Sequence, residues 1–169
     1  MDGIDVLAIL SRWIHLLSAL VAVGGAAFMR FALAPGAKAA LGSEEHDRLR
    51  EEVRRRWALV LHSAIVLLLV TGFLNFYWLA LRTGIPAMPY HALFGIKFLL
   101  ALLVFFIATA LTGRAPGLDG MRRQAQRWLS WLLMAAALII LLSATLGEVR
   151  RAALRPSATV SGPEAATSP

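Results

Sequence analysis

The chain of 169 residues contains no cysteine, which excludes a disulfide framework, a thiolate metal site and a nucleophilic thiol. Charge is scarce as well: Asp, Glu, Lys and Arg make up only 16% of residues, and the acids are the minority, 10 against 17 Lys and Arg. Strand-length alternation of apolar and polar residues is also missing, so a membrane barrel is not written here. What the chain has in excess is hydrocarbon. At 59% hydrophobic residues and a mean hydropathy of +0.68 it is too apolar for an ordinary soluble domain of this length, and its natural solvent is a bilayer.

A helix needs roughly 20 mostly apolar residues to cross a hydrocarbon core. Four stretches meet that length: 6–33, 57–81, 89–112 and 128–149. Lipid cannot hydrate backbone N–H and C=O groups, so each stretch must satisfy them within a helix. The expected fold is therefore all-α, an antiparallel bundle of four transmembrane helices over residues 1–151, followed by a disordered tail over 152–169 built from Ser, Ala, Thr, Gly and Pro. The N-terminus reads as a mature helix rather than a signal peptide, because Asp2 and Asp5 lead it and its apolar run is too long for a signal core.

Between the first two spans, acids precede bases by four residues at Glu44/Arg48, Glu51/Arg55 and Glu52/Arg56, the spacing of a solvated helix capped at Ser43. Nothing between Glu51 and Trp57 breaks a helix, so this segment should run on into the second span. Gly84, Pro86 and Pro89 punctuate the next turn, and Gly113 to Gly120 forms the third. Lys38, Arg48, Arg50 and Arg54 to Arg56 in the first loop, with Arg114, Arg122, Arg123 and Arg127 in the third, place both loops in the cytoplasm and both termini outside it. The expected location is a bacterial cytoplasmic membrane, where the basic clusters meet anionic lipid headgroups and not nucleic acid. Trp13, Trp57, Tyr77, Trp78, Tyr90, Trp128 and Trp131 fall toward span ends, as interfacial anchors do. Gly24, Gly25, Gly72, Gly95 and Gly147 read as places where helices approach closely.

Ionisable groups inside a membrane are costly and therefore mark sites. His15, His62 and Lys97 qualify, and His91 stands at the start of its span. At 1.5 Å per residue His15 and Lys97 share a layer, roughly 13 and roughly 12 Å below the outer ends of their helices, whereas His62 enters from the opposite side. A b-type haem would take an axial imidazole from His15 and a second partner from His91 or Lys97, with His62 as a further candidate. A copper site would use His15 and His91, with Met29, Met88, Met121 and Met134 too scattered to read as a thioether cluster. Each polar group also has a plain structural reading as a hydrogen bond between helices, as do Thr71 and Asn75, four residues apart on one face.

The runs Trp13-Ile-His15-Leu-Leu-Ser-Ala, Thr71-Gly-Phe-Leu and Tyr90-His-Ala-Leu-Phe-Gly-Ile-Lys97 resemble the copper-resistance D type membrane domain and its relative, the HemJ-type protoporphyrinogen oxidase. The resemblance spans about 12–151 and implies a four-helix bundle, with His15 and Lys97 matching the families' recurring first-helix histidine and third-helix basic residue. For the oxidase branch it implies a bound b-type haem. The oxidase pattern carries further histidines where this chain has Gly95 and Ala108. The expectation is thus a membrane protein binding haem b, or alternatively copper, in a redox or metal-handling role, leaning away from enzyme activity. Were it an enzyme, it would be a membrane-bound haem-dependent oxidoreductase. The contrasting expectation is a non-catalytic accessory subunit of a larger membrane complex, its partner another membrane protein or a second copy of itself.

Overall fold

A computed structural model describes the backbone of residues 3–83 and 88–153, and the side chains of residues 6–78 and 92–148. The tail beyond Arg155 and the side chain of His91 lie outside the described residues. Among the described residues four helices are long and apolar enough to cross a membrane, and they pack as antiparallel pairs into a four-span bundle.

The first rod is longer than its apolar run suggests. Helix α1 (Gly3–Phe28) passes through a π-helical turn, Met29–Leu33, into α2 (Ala34–Ala40). Pro35 occupies the first turn of α2. Pro35 brings no N–H to the turn before it, and the π turn just ahead absorbs the lost bond and the local change of register, so the rod continues where a stop was expected near residue 33. The extended backbone of Leu41, φ −116° and ψ 147°, finally ends it.

Helix α3 (Ser43–Thr83) is a single element of 41 residues, as the absence of breakers before Trp57 requires. At about 60 Å it is twice the thickness of a hydrocarbon core, so its charged first part stands outside the apolar layer. Helix α4 (Met88–Thr112) follows. A 3₁₀ turn at Pro116–Leu118 and the short α5 (Asp119–Arg123) lead into α6 (Ala125–Ala153).

Helix α1 packs on α3 and α4 packs on α6, while the two pairs meet more sparsely along α3–α4 and α1–α6. The buried centre is made of modest side chains: Ala26, Leu61, Ile65, Ile107, Ala108 and Leu132. Large apolar side chains instead face outward, with Leu20, Leu59 and Leu99 exposed by 69%, 74% and 66%. Water would penalise that arrangement, but a lipid tail solvates leucine as well as another leucine does.

Two expectations from sequence are corrected here. Of the five glycines read as close-approach sites, Gly25 fills that role most tightly, since a Cβ there would run into the Trp57 ring, whereas Gly24, Gly95 and Gly147 face open space. Trp57 and Trp128 are packed against the core and are not interfacial anchors, while Trp13 and Trp131 remain exposed. The missing Cβ of Gly25 provides the slot that draws Trp57 inward.

Candidate functional site

The two helix pairs are joined at their ends and parted in the middle. Near one end α3 and α4 meet through stacked Phe76 and Phe94, with ring centroids 4.3 Å apart, and through the edge-on pair Phe73 and Phe98 at 5.7 Å. At the other end Arg54 Nη1 donates to the Thr112 carbonyl at 2.6 Å, and Arg30 Nε donates to Ser130 Oγ at 3.1 Å. Between these ties Ala19, Ala22, Gly24, Ala101, Ala136 and Gly147 are too small to close the gap, and a cavity of about 1460 Å³ remains. Pockets that hold drug-sized ligands run from about 300 to 1,000 Å³, so this one has room for a large or elongated apolar molecule.

At the phenylalanine end the cavity is lined by His15, Gly72, Asn75 and Lys97. His15 Nδ1 lies 2.8 Å from Thr71 Oγ1, and Thr71 Oγ1 itself donates to the Leu67 carbonyl at 2.5 Å. A threonine hydroxyl has one proton. With that proton directed to the Leu67 carbonyl, Nδ1 of His15 is the donor to Thr71 Oγ1. Neutral imidazole protonated at Nδ1 carries its lone pair on Nε2. Thr71 thus sets the tautomer as well as the orientation of His15. Gly72 leaves the ring its space: a Cβ there would come to 3.5 Å from His15 Cε1.

Asn75, one turn beyond Thr71, has a buried Oδ1 with no hydrogen-bond partner among the described residues. Lys97 has no hydrogen bond or ion pair among the described residues. Two polar groups on the cavity lining, each without a partner among the described residues, mark a place where a ligand could complete the bonding.

At the opposite end Arg54 and Arg122 are bound to neighbouring acids and carbonyls. Arg54 donates from Nε and Nη2 to Glu51 at 2.8 and 2.5 Å, and to the Thr112 and Gly113 carbonyls at the end of α4. Arg122 donates to the Gly113 and Ala115 carbonyls and to Asp119, Arg50 donates to the Arg122 carbonyl, and Arg114 reaches Glu51 at 3.2 Å. Guanidinium groups at a helix C-terminus satisfy carbonyls that lack helical partners and sit at the negative end of the helix dipole. Glu51 precedes Trp57, in the solvated part of α3, and the hydrogen bonds from Arg54 first and Arg114 second lower its carboxyl pKa to about 2.

Of the residues singled out from sequence, His15 and Lys97 line the one cavity. His62 points outward, its Nδ1 2.5 Å from the carbonyl of Ala58 on its own helix. The His91 backbone belongs to the first turn of α4. Sequence reading gave no role to His46, which lines the basic end of the cavity with Arg50 and Arg54. A signal for it was present: His46, Arg50, Arg54, Trp57, Leu61, Ile65, Leu68 and Gly72 recur at three- and four-residue steps along one continuous helix. Among the described residues no three His, Cys, Asp or Glu side chains cluster as a metal site. Comparison of the chain with family models, with curated proteins and with solved structures finds no match in any of the three.

Proposed function

We propose that this four-span protein is a b-type haem protein with a redox role, in which the Nε2 lone pair of His15 would hold the haem iron. The observation that carries the reading is the Thr71 hydrogen bond, which leaves an Nε2 lone pair on a residue lining a large apolar cavity. An imidazole whose other nitrogen is held by a hydrogen bond is the usual form of a metal-ligating histidine. The donor set suits haem better than copper: one or two protein ligands suffice for haem, whereas a copper site needs several donors converging on one point. The resemblance of the His15 and Lys97 segments to the copper-resistance D and HemJ-type proteins points the same way. Bound haem would supply one-electron chemistry. The chain's own part is to hold the ring of His15 through Thr71, to present the cation of Lys97 to a carboxylate, and to exclude water with apolar walls.

The basic end belongs in the cytoplasm on this reading, because the loops carrying Arg50, Arg54, Arg114 and Arg122 converge there. A reporter fused after Arg155 is then expected outside the cytoplasm, and one in the 39–48 segment inside.

The deciding experiment is the reduced-minus-oxidised visible spectrum of the purified protein. A stoichiometric b-type band that His15→Ala abolishes, Lys97→Met weakens and His62→Ala leaves intact supports the assignment. A colourless protein, or a band that survives His15→Ala, overturns it. Absence of both haem and copper would favour the accessory-subunit reading, in which the same polar groups only hold helices together.

A further inference from the structure

Among the described residues, the ionisable groups lining the central cavity are all basic. Arg12, His15 and Lys97 stand toward one end, and Lys38, His46, Arg50, Arg54, Arg122 and Arg123 toward the other, with no Asp or Glu among the described lining residues. The nearby carboxylates, Asp47, Glu51 and Asp119, line a second and smaller pocket of about 480 Å³ that shares Arg50, Arg54, Arg122 and Arg123 with the first. They neutralise the arginines from outside, and Arg54 and Arg122 are taken up with them and with the carbonyls of α4 and its turn.

Three cations at this end keep most of their donors. Lys38 and Arg123 make no hydrogen bond among the described residues, and Arg50 commits one donor to the Arg122 carbonyl. They come from α2, α5 and α3, so the folded bundle alone assembles them at the mouth of one apolar chamber. A cationic mouth on an apolar chamber complements a molecule with an anionic head and a hydrocarbon tail. In a membrane the abundant molecule of that kind is an acidic phospholipid, and basic pockets between transmembrane helices are known to hold such headgroups.

We infer that the cavity takes up an anionic phospholipid from the surrounding bilayer, its phosphate held by Lys38, Arg50 and Arg123 and an acyl chain lying along the alanine and glycine wall. The inference does not rest on the haem reading, which concerns the His15 end of the chamber.

The test uses the full chain in detergent micelles, with native mass spectrometry and thermal stability as readouts and phosphatidylglycerol, phosphatidylcholine and inorganic phosphate as probes. Phosphatidylglycerol should bind with defined stoichiometry and raise Tm. Joint replacement of Lys38, Arg50 and Arg123 by Gln, at positions where no buried partner is lost, should weaken it about 100-fold. Gly24→Leu projects a side chain into open cavity space and should reduce lipid occupancy with the cations intact. A colourless preparation that still binds phosphatidylglycerol with defined stoichiometry would keep this inference and lose only the haem assignment. Equal binding of phosphatidylcholine would overturn the charge argument, and binding of inorganic phosphate as tightly as the lipid would remove the role of the tail. Loss in the triple variant with no effect of Gly24→Leu would place the lipid on the outer surface and overturn occupancy of the cavity. Should Gly24→Leu fail to fold, Ala27→Leu, also on the cavity wall, makes the same test.

Discussion

The two ends of the bundle use polar residues in opposite ways. At the basic end Arg54 and Arg122 are fully engaged: Arg54 ties Glu51 to two backbone carbonyls at the end of α4, and Arg122 ties one of these, Gly113, to Ala115 and Asp119, while Lys38, Arg50 and Arg123 stand at the cavity mouth with donors to spare. At the other end His15 is oriented by Thr71, Asn75 Oδ1 is buried without a partner among the described residues, and Lys97 lies beside the same cavity. Satisfied groups lock elements together, whereas unsatisfied ones cost stability and persist where a ligand can repay them. The contrast separates a structural clamp from a candidate site, although both are made of intramembrane or near-membrane polar residues.

The largest expected effect lies on the clamp. Arg54→Ala leaves the Thr112 carbonyl without its side-chain donor, with Gly113 held only by Arg122 and Glu51 only by Arg114, and should destabilise the protein by about 1.5 to 3 kcal/mol, read as a fall in Tm in detergent. An unchanged Tm would show that water replaces the guanidinium freely and that the two ends do not differ in this way. Next is Gly72. A Cβ at 3.5 Å from His15 Cε1 is an ordinary contact, so Gly72→Ala should be tolerated, whereas Gly72→Leu should push the imidazole off Thr71 at a cost of about 1 to 3 kcal/mol and abolish ligand retention. If both substitutions bind ligand equally well, His15 is not held where the geometry puts it.

Asn75 should respond with the opposite sign. Replacing a buried carbonyl that has no partner by an apolar group of similar size removes a desolvation penalty, so Asn75→Leu should raise Tm while weakening ligand retention. A drop in Tm would mean that the amide is already satisfied. The smallest effect concerns Glu51, whose pKa is lowered from 4.5 to about 2 chiefly by Arg54. A depressed carboxylate stabilises the fold fully above its unfolded value and loses that contribution as pH falls from about 4.5 through about 2. Because Glu51 is exposed, salt should shrink the effect. Tm followed from pH 6 down to pH 2 should fall less steeply for Glu51→Gln than for the natural chain.

Much of the architecture was legible in the residues. The unbroken stretch before Trp57 announced α3 as one long helix, and the Thr71/Asn75 spacing announced a polar face that does meet a neighbouring helix. The continuation of the first rod past Pro35 was not legible, because a proline in a first turn and a proline that ends a helix look alike without the backbone. Nor was the difference between His15 and His62, one lining the cavity and the other turned outward onto its own backbone.

That division has a physical cause. The number of spans follows from composition, since a bilayer forces every long apolar run into a helix whatever its neighbours are. Which face of a helix turns inward does not follow, because α3 and α4 carry apolar residues on all sides and hydrocarbon solvates each side equally well. Only packing chose the rotation: Trp57 entering the slot at Gly25, Phe76 stacking on Phe94 and Arg54 reaching the end of α4. Those contacts turned His15 toward Thr71 and left a chamber between the helix pairs that no stretch of sequence contains by itself.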